Sequence, residues 1–91
     1  MTYSIIYHPR VVSEDIPKLG TAERRRIKRA IEQKLAKRPE VFGIPLRYSL
    51  KGSRKLRVGD HRVIFRIQQK EIFILIIQHR SAVYQNLHKR N

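Results

Sequence analysis

No cysteine and no tryptophan occur among the 91 residues, glycine and proline appear four times each, and only 7 acidic side chains stand against 21 lysines and arginines. The missing cysteines exclude disulfide frameworks, thiolate nucleophiles and cysteine-held zinc or iron–sulfur centres, and they fit a reducing, cytoplasmic setting. Acids are too few to form a carboxylate cluster, and no two histidines stand at i, i+3 or i+4, so no metal site is expected. Long apolar runs are also absent. The longest covers residues 72–77, against the ~20 needed to cross a bilayer. The start, Met1-Thr2-Tyr3-Ser4-Ile5-Ile6-Tyr7, lacks the basic n-region and long apolar stretch of a signal peptide. Gly52-Ser53-Arg54-Lys55 lacks the glycine-rich approach of a P-loop. Metal-free chemistry without a cofactor, away from any membrane, is what remains.

What is present is positive charge. A formal net charge of +14 on a chain that is 41% hydrophobic points to a folded body decorated with cations, and not to a disordered tail. Such an excess implies a polyanionic partner, nucleic acid before acidic protein. The length allows one core, so residues 1–91 read as a single domain, and a two-domain enzyme closing over a small substrate is excluded.

Tyr3, Ile5, Ile6 and Tyr7, ending at Pro9, predict a first strand over residues 2–8. Val12, Ile16 and Leu19 recur at i, i+4, i+7 and predict a short helix that Pro17 ends or distorts near residue 16. Gly20 stops it, Thr21 offers an N-cap, and Ile27, Ala30, Ile31 and Leu35 trace a second helix to about Arg38, ahead of Pro39. That helix carries eight basic residues against Glu23 and Glu32. An outward basic face of this kind supplies diffuse attraction more readily than a specific contact. Gly43-Ile44-Pro45 reads as an irregular connection into residues 46–50.

The second half changes period. Lys55-Leu56-Arg57-Val58 alternates, Gly59-Asp60 is a two-residue hairpin signal, residues 61–67 alternate again, and Gln69-Lys70 turns the chain into an apolar strand at 72–77. Val83 and Leu87 then mark a short terminal helix. The expected fold is α+β, in the order β-α-α-β-β-β-(α), with two N-terminal helices on one face of a small, mainly antiparallel sheet.

A tight Gly59-Asp60 turn pairs Val58 with His61, Arg57 with Arg62 and Leu56 with Val63, and a similar second turn sets Arg66 opposite Phe73 and Arg62 opposite Ile77. Alternation then puts Leu56, Val58, Val63, Phe65, Ile67, Ile72, Ile74 and Ile76 on the helix-covered face. The other face holds Lys55, Arg57, Arg62, Ile64, Arg66, Phe73, Leu75, Ile77 and His79, with His61 at the opposite edge. Setting Arg57 across from Arg62 costs up to ~1 kcal/mol in repulsion. A surface that gathers this repulsion is one to which an anion is brought. His79, beside Arg80, is the titratable group nearest these cations, whereas His8 and His88 read as structural. Tyr84 falls four residues after Arg80, so a terminal helix would aim both the same way, with the phenol free to stack on a base or hydrogen-bond a phosphate.

The run Lys55-Leu56-Arg57-Val58-Gly59-Asp60-His61-Arg62-Val63-Ile64-Phe65-Arg66-Ile67, followed by an apolar strand and His79-Arg80-Ser81-Ala82-Val83-Tyr84, resembles the RelE/ParE superfamily of toxins over essentially the whole chain. The hairpin pattern is shared across the superfamily. The H-R-x-x-V-Y ending looks more like the RelE branch, which cuts messenger RNA in the A site of the 70S ribosome, than the ParE branch, which inhibits DNA gyrase. The resemblance implies a type II toxin that inhibits translation as a ribosome-dependent endoribonuclease, in a hetero-oligomer with a cognate acidic antitoxin. It implies that Arg62 binds the scissile phosphate and that Arg80 and Tyr84 take part in substrate orientation and in the chemistry, with Lys55 matching a family lysine. Ser53 and Arg54 stand where the family often has another lysine, with Lys51 just upstream. Lys51, Arg54, Arg57 and Arg66 are thus candidates for RNA contact, and the general base is left between Lys55 and His79. A gyrase inhibitor of the same fold and a non-catalytic RNA-binding module are the competing readings.

Overall fold

The computed structural model of the protein describes residues 2–47 and 51–90. Its strands are β1 (Ser4–Tyr7), β2 (Ile44–Pro45), β3 (Arg54–Val58), β4 (His61–Gln68) and β5 (Glu71–His79), in one sheet of order β1-β5-β4-β3-β2. β1 runs parallel to β5, and every other neighbouring pair is antiparallel. A π-helical turn (Val11–Asp15) leads into a 3₁₀ turn (Ile16–Lys18), α1 (Thr21–Ala30) continues through a second π turn (Ile31–Leu35), and α2 (Pro39–Phe42) and α3 (Val83–Leu87) complete the chain. The anticipated order is present. α2 and β2 are additions where the sequence reads as irregular, and the segment leading on from Leu46 passes outside the described residues at 48.

Local chemistry accounts for these elements, with two corrections near the start. Pro17 lies in the first positions of the 3₁₀ turn and has no N–H to extend the helix before it, so the helix tightens there. The wide π turn directs Val11 and Asp15 inward, leaving Val12 exposed, so Val11 takes the core position expected of Val12. Gly20 caps α1 in extended conformation, and Thr21 is the first helical residue, not the cap. Ile27, Ile31 and Leu35 then form the buried stripe.

Gly59, with φ of 60°, adopts the left-handed conformation that a two-residue hairpin turn demands, and the pairs Val58–His61, Arg57–Arg62 and Leu56–Val63 form as expected. The next hairpin pairs Arg66 with Phe73. Beyond it the register departs from simple alternation. Ile64 pairs with Ile76 but Phe65 with Ile74, so Leu75 is an extra residue, a β-bulge in β5. Parity reverses past it. Arg62 therefore lies opposite Gln78 and not Ile77, Ile77 faces the helices in place of Ile76, and His79 sits opposite His61.

The sheet thus separates two apolar clusters. Val11, Ile27, Ile31, Leu35, Val63, Phe65, Ile72 and Ile74 fill the layer beneath α1. Ile64, Leu75, Ile76 and Val83 form a smaller one, to which Leu46, Phe73 and Leu87 add. α3 thereby covers the apolar half of the second face and leaves its charged end open. Gly43 has a packing reason to be glycine, since a Cβ there would overlap the buried Phe65 ring and the Pro39 carbonyl.

Candidate active site

Where β3, β4 and the end of β5 meet the start of α3, Lys55, Arg57, Arg62, His79, Arg80, Ser81 and Tyr84 line an open groove of about 580 Å³. Among the described residues, no carboxylate lines it. Lys55 and Arg57 project from β3 and Arg62 from β4, held to the same face by the hairpin register. Arg80, Ser81 and Tyr84 come from the segment that leaves β5 and enters α3.

Arg62 is only 6% exposed, and among the described residues no carboxylate pairs with it. Its Nη1 donates to the carbonyls of Gly59 and His61, both at 3.0 Å. Those two bonds use the Nη1 hydrogens and orient the guanidinium. The opposite edge, Nε and Nη2, keeps the parallel donor pair that fits two phosphate oxygens. A buried charge without a counter-charge is costly unless something anionic completes it. Arg57, directly across, is exposed, so the repulsion read from the sequence is partly relieved by solvent on one side.

Arg80 is held loosely, with Nε 3.9 Å from the exposed Asp60 carboxylate. The Lys55 ammonium lies 5.8 Å from the centre of the Tyr84 ring, a cation–π contact that fixes two groove members against each other. Tyr84 remains 45% exposed. His79 Nδ1 accepts the Ser81 backbone N–H at 3.1 Å and lies 2.8 Å from Ser81 Oγ. Nδ1 therefore carries the lone pair, and the ring proton belongs on Nε2. The His61 and His79 rings meet edge-on at 5.7 Å, and His61 Nδ1 reaches Glu23 of α1 at 2.9 Å. The bulge thus brings both histidines to one edge, where the parity reading had put them apart.

Three expected contributors lie elsewhere. Arg54 faces the helical layer and donates to the Gly43 carbonyl at 3.1 Å. Lys51 is exposed in the turn before β3. Arg66 is roughly 13 Å along β4 from Arg62 at about 3.3 Å per residue, and its guanidinium sits 6.0 Å from the Phe73 ring centre, with Nε buried and unbonded. Shared parity placed Arg66 on the right face but not at the right end. Reading the sequence also missed Ser81, which sets the His79 tautomer, and Asp60. Only proximity in sequence to His79 and the hairpin marks either.

A family model for the ParE toxin of type II toxin–antitoxin systems (parDE) matches residues 3–84. No curated protein matches the chain. Among solved structures, the RelBE2 toxin–antitoxin complex from Mycobacterium tuberculosis matches at 25% identity with a TM-score of 0.79, over 89% of this chain and 94% of that one. A mutant of the Escherichia coli toxin RelE in the free state matches at 23% identity with a TM-score of 0.72, over 99% and 98% of the two chains, a likeness of fold. Among the described residues, no helix is long and apolar enough to cross a membrane.

Proposed function

Because this chain belongs to the ParE toxin family of type II toxin–antitoxin systems, within the RelE/ParE superfamily, we propose that it is a ribosome-dependent endoribonuclease. In this reading it cleaves messenger RNA in the ribosomal A site, acts in the cytoplasm as a single domain, and is silenced by an acidic antitoxin bound as a hetero-oligomer. The observation that carries the reading is the buried, carboxylate-free Arg62, aimed into a groove that also holds Arg57, Arg80, Lys55, His79 and Tyr84.

The chemistry is attack of a 2′-hydroxyl oxygen on the adjacent phosphorus. A P–O2′ bond forms, the P–O5′ bond breaks, and a 2′,3′-cyclic phosphate and a 5′-hydroxyl result. The hydroxyl proton must leave, the phosphorane-like transition state must be stabilised, and the departing oxygen must gain a proton. Guanidinium groups suit the second role, because they stay charged and grip two phosphate oxygens in one plane. Arg62 binds the scissile phosphate through Nε and Nη2, and Arg57 and Arg80 close around it. With Nδ1 occupied by Ser81, His79 presents an Nε2–H that hydrogen-bonds the departing oxygen as charge develops on it, and the proton that oxygen takes up comes from water. Lys55 is then the group for the 2′-hydroxyl, and Tyr84 stacks on a flanking base. Lys51, Arg54 and Arg66, outside the groove, offer only peripheral attraction. The ribosome supplies the RNA already positioned, which lowers what the protein must do alone.

A second reading, inhibition of DNA gyrase, is favoured by the family model that matches, which is that of ParE. It requires a binding surface and no chemistry. Ribosomes programmed with a defined messenger RNA, treated with the purified protein and mapped for new 3′ ends, separate the two. Cyclic or 3′-phosphate ends that vanish with Arg62→Ala support cleavage. Intact RNA together with gyrase-dependent DNA damage overturns it.

A further inference from the structure

A second polar constellation lies on the outer edge of β5 and takes no part in the groove. Asp15 is 3% exposed and is the only buried carboxylate among the described residues. Arg90, three residues beyond α3, is 6% exposed. Cations with such long side chains are almost never buried unless paired, and these two are paired: Nη1 to Oδ2 at 2.6 Å and Nη2 to Oδ1 at 2.9 Å. Asp15 Oδ2 also accepts the Ile77 N–H at 2.9 Å, and Oδ1 accepts Gln78 Nε2 at 3.2 Å. Arg90 Nη1 further donates to the Leu75 carbonyl at 3.1 Å. β1 pairs with β5 only as far as Ile74. Past that point, at the bulge, the ion pair takes the backbone donors and acceptors that a neighbouring strand would otherwise satisfy.

The same network holds α3. A five-residue helix has no stability of its own, and α3 has no side-chain cap. Its apolar anchors are Val83, fully buried, and Leu87, partly buried. It is tied further by Lys55 over the Tyr84 ring, by Asn86 Nδ2 donating to Gln78 Oε1 at 2.8 Å, with Gln78 bound in turn to Asp15, and by Arg90 just beyond it. Lys55, Arg57 and Arg62 stand on strands of the sheet, whereas Arg80, Ser81 and Tyr84 stand on the segment entering α3. Arg80 is tied to the β3–β4 turn by its backbone N–H, which donates to the Asp60 carbonyl at 2.8 Å, so it is the distance of Tyr84 from the strand-borne cations that depends on how α3 is seated.

We propose that the Asp15–Arg90 pair is a clasp that seats α3 and so positions Tyr84 against the strand-borne cations. Asp15 and Arg90 are positioning residues, and their effect on turnover rests on the nuclease reading. Their effect on α3 does not. Arg90→Ala alone leaves a buried carboxylate uncompensated and endangers the fold, so the informative variant is Asp15→Asn with Arg90→Met, which removes both charges, is isosteric at 15 and keeps a long unbranched side chain at 90. Its backbone exchange is followed by hydrogen–deuterium mass spectrometry on the full chain, beside single-turnover cleavage on programmed ribosomes. The clasp predicts unchanged protection of β4 and β5, exchange across residues 83–87 faster by about tenfold or more, and a cleavage rate constant lowered about tenfold with ribosome affinity within about twofold. Arg90→Lys, which keeps the charge but not the two-pronged contact, should fall between. Unchanged exchange at 83–87 in the folded double variant overturns the clasp, as does faster exchange with an unchanged cleavage rate. If the wild-type protein cuts no RNA, the nuclease reading falls, and the exchange at 83–87 still decides whether the pair seats α3.

Discussion

Two regions of this protein are rich in arginine and lysine, and they differ in almost everything else. On α1, Arg25, Lys28 and Arg29 point outward and are exposed, spaced around a helix so that each carries its own hydration. One member is structural: Arg24 Nη2 donates to the Ile16 and Leu19 carbonyls, both at 3.3 Å, and closes the preceding 3₁₀ turn. In the groove the cations are set by strand register, face one another, and include one that is buried without a counter-charge. The helix spends its charge on water, and the groove withholds water from part of its own. A count of basic residues ranks the helix first. Convergence and desolvation rank the groove first, and those properties give a guanidinium most of its strength toward phosphate.

The strongest way to break the comparison is to remove charge from the groove. Arg62→Ala should lower the rate of messenger RNA cleavage by about 10²- to 10³-fold, the scale seen when a positioned donor to a developing oxyanion is lost. Arg62→Lys should recover little, because an ammonium cannot supply the Nε–Nη2 edge. Retention of near-normal cleavage by Arg62→Ala would place the phosphate elsewhere. Tyr84→Ala comes next, with a loss of about 10-fold or more from stacking worth ~1–3 kcal/mol per base. Arg57→Ala sharpens the contrast differently. It should reduce cleavage while raising the urea midpoint, since it relieves a cross-strand repulsion of up to ~1 kcal/mol. A variant that is both more stable and less active is the mark of a charge kept for its ligand.

Charge removed from α1 should behave otherwise. Arg25→Gln with Arg29→Gln should leave the single-turnover cleavage rate unchanged, weaken association with ribosomes by only a few-fold, and lower the slope of log affinity against log salt by about 1 to 2. A loss on the scale of Arg62→Ala would erase the distinction between the two regions.

Much of this arrangement is legible in the sequence, and what is not has a physical reason. Gly59-Asp60 permits one turn geometry, so the Arg57–Arg62 pairing follows from two residues. The bulge leaves no such mark. Residues 74–77 are Ile, Leu, Ile and Ile, and when every position is apolar, alternation cannot reveal where parity reverses. Alternation therefore exchanges Ile76 and Ile77 between the two faces and separates His79 from His61, for the same cause. Arg66 shows a related limit, because period-two reasoning sorts residues by face and says nothing of distance along the strand. Asp15 could have been noticed as an acid four residues after the buried Val11. Arg90 could not, because its partner is 75 residues away and nothing local distinguishes it from Lys89.

The smallest expected effect lies outside both regions, at His8, between the end of β1 and the first π turn. Burial pushes its imidazole below the usual histidine range, and the nearby Arg90 and Arg10 push the same way, against the weaker opposite pull of Asp15 and Glu14. Nδ1 accepts the Arg10 backbone N–H at 3.0 Å, a bond that needs the lone pair, and the ring lies 6.1 Å from that of Phe73. The folded protein therefore binds a proton at His8 less readily than the unfolded chain, whose histidine titrates near ~6.5. Stability from this residue is complete above that value and is lost as pH falls through it toward the lower folded pKa. Urea midpoints of the wild type and of His8→Gln, compared from about pH 7.5 to 5, should converge or cross as the solution is acidified, with the wild type losing more. Midpoints that stay parallel would mean that His8 senses neither burial nor Arg90. In the Asp15→Asn, Arg90→Met protein two opposing influences on His8 disappear together, so its acid sensitivity should shrink only slightly, and the pH profile then separates the charge of the clasp from its hold on α3.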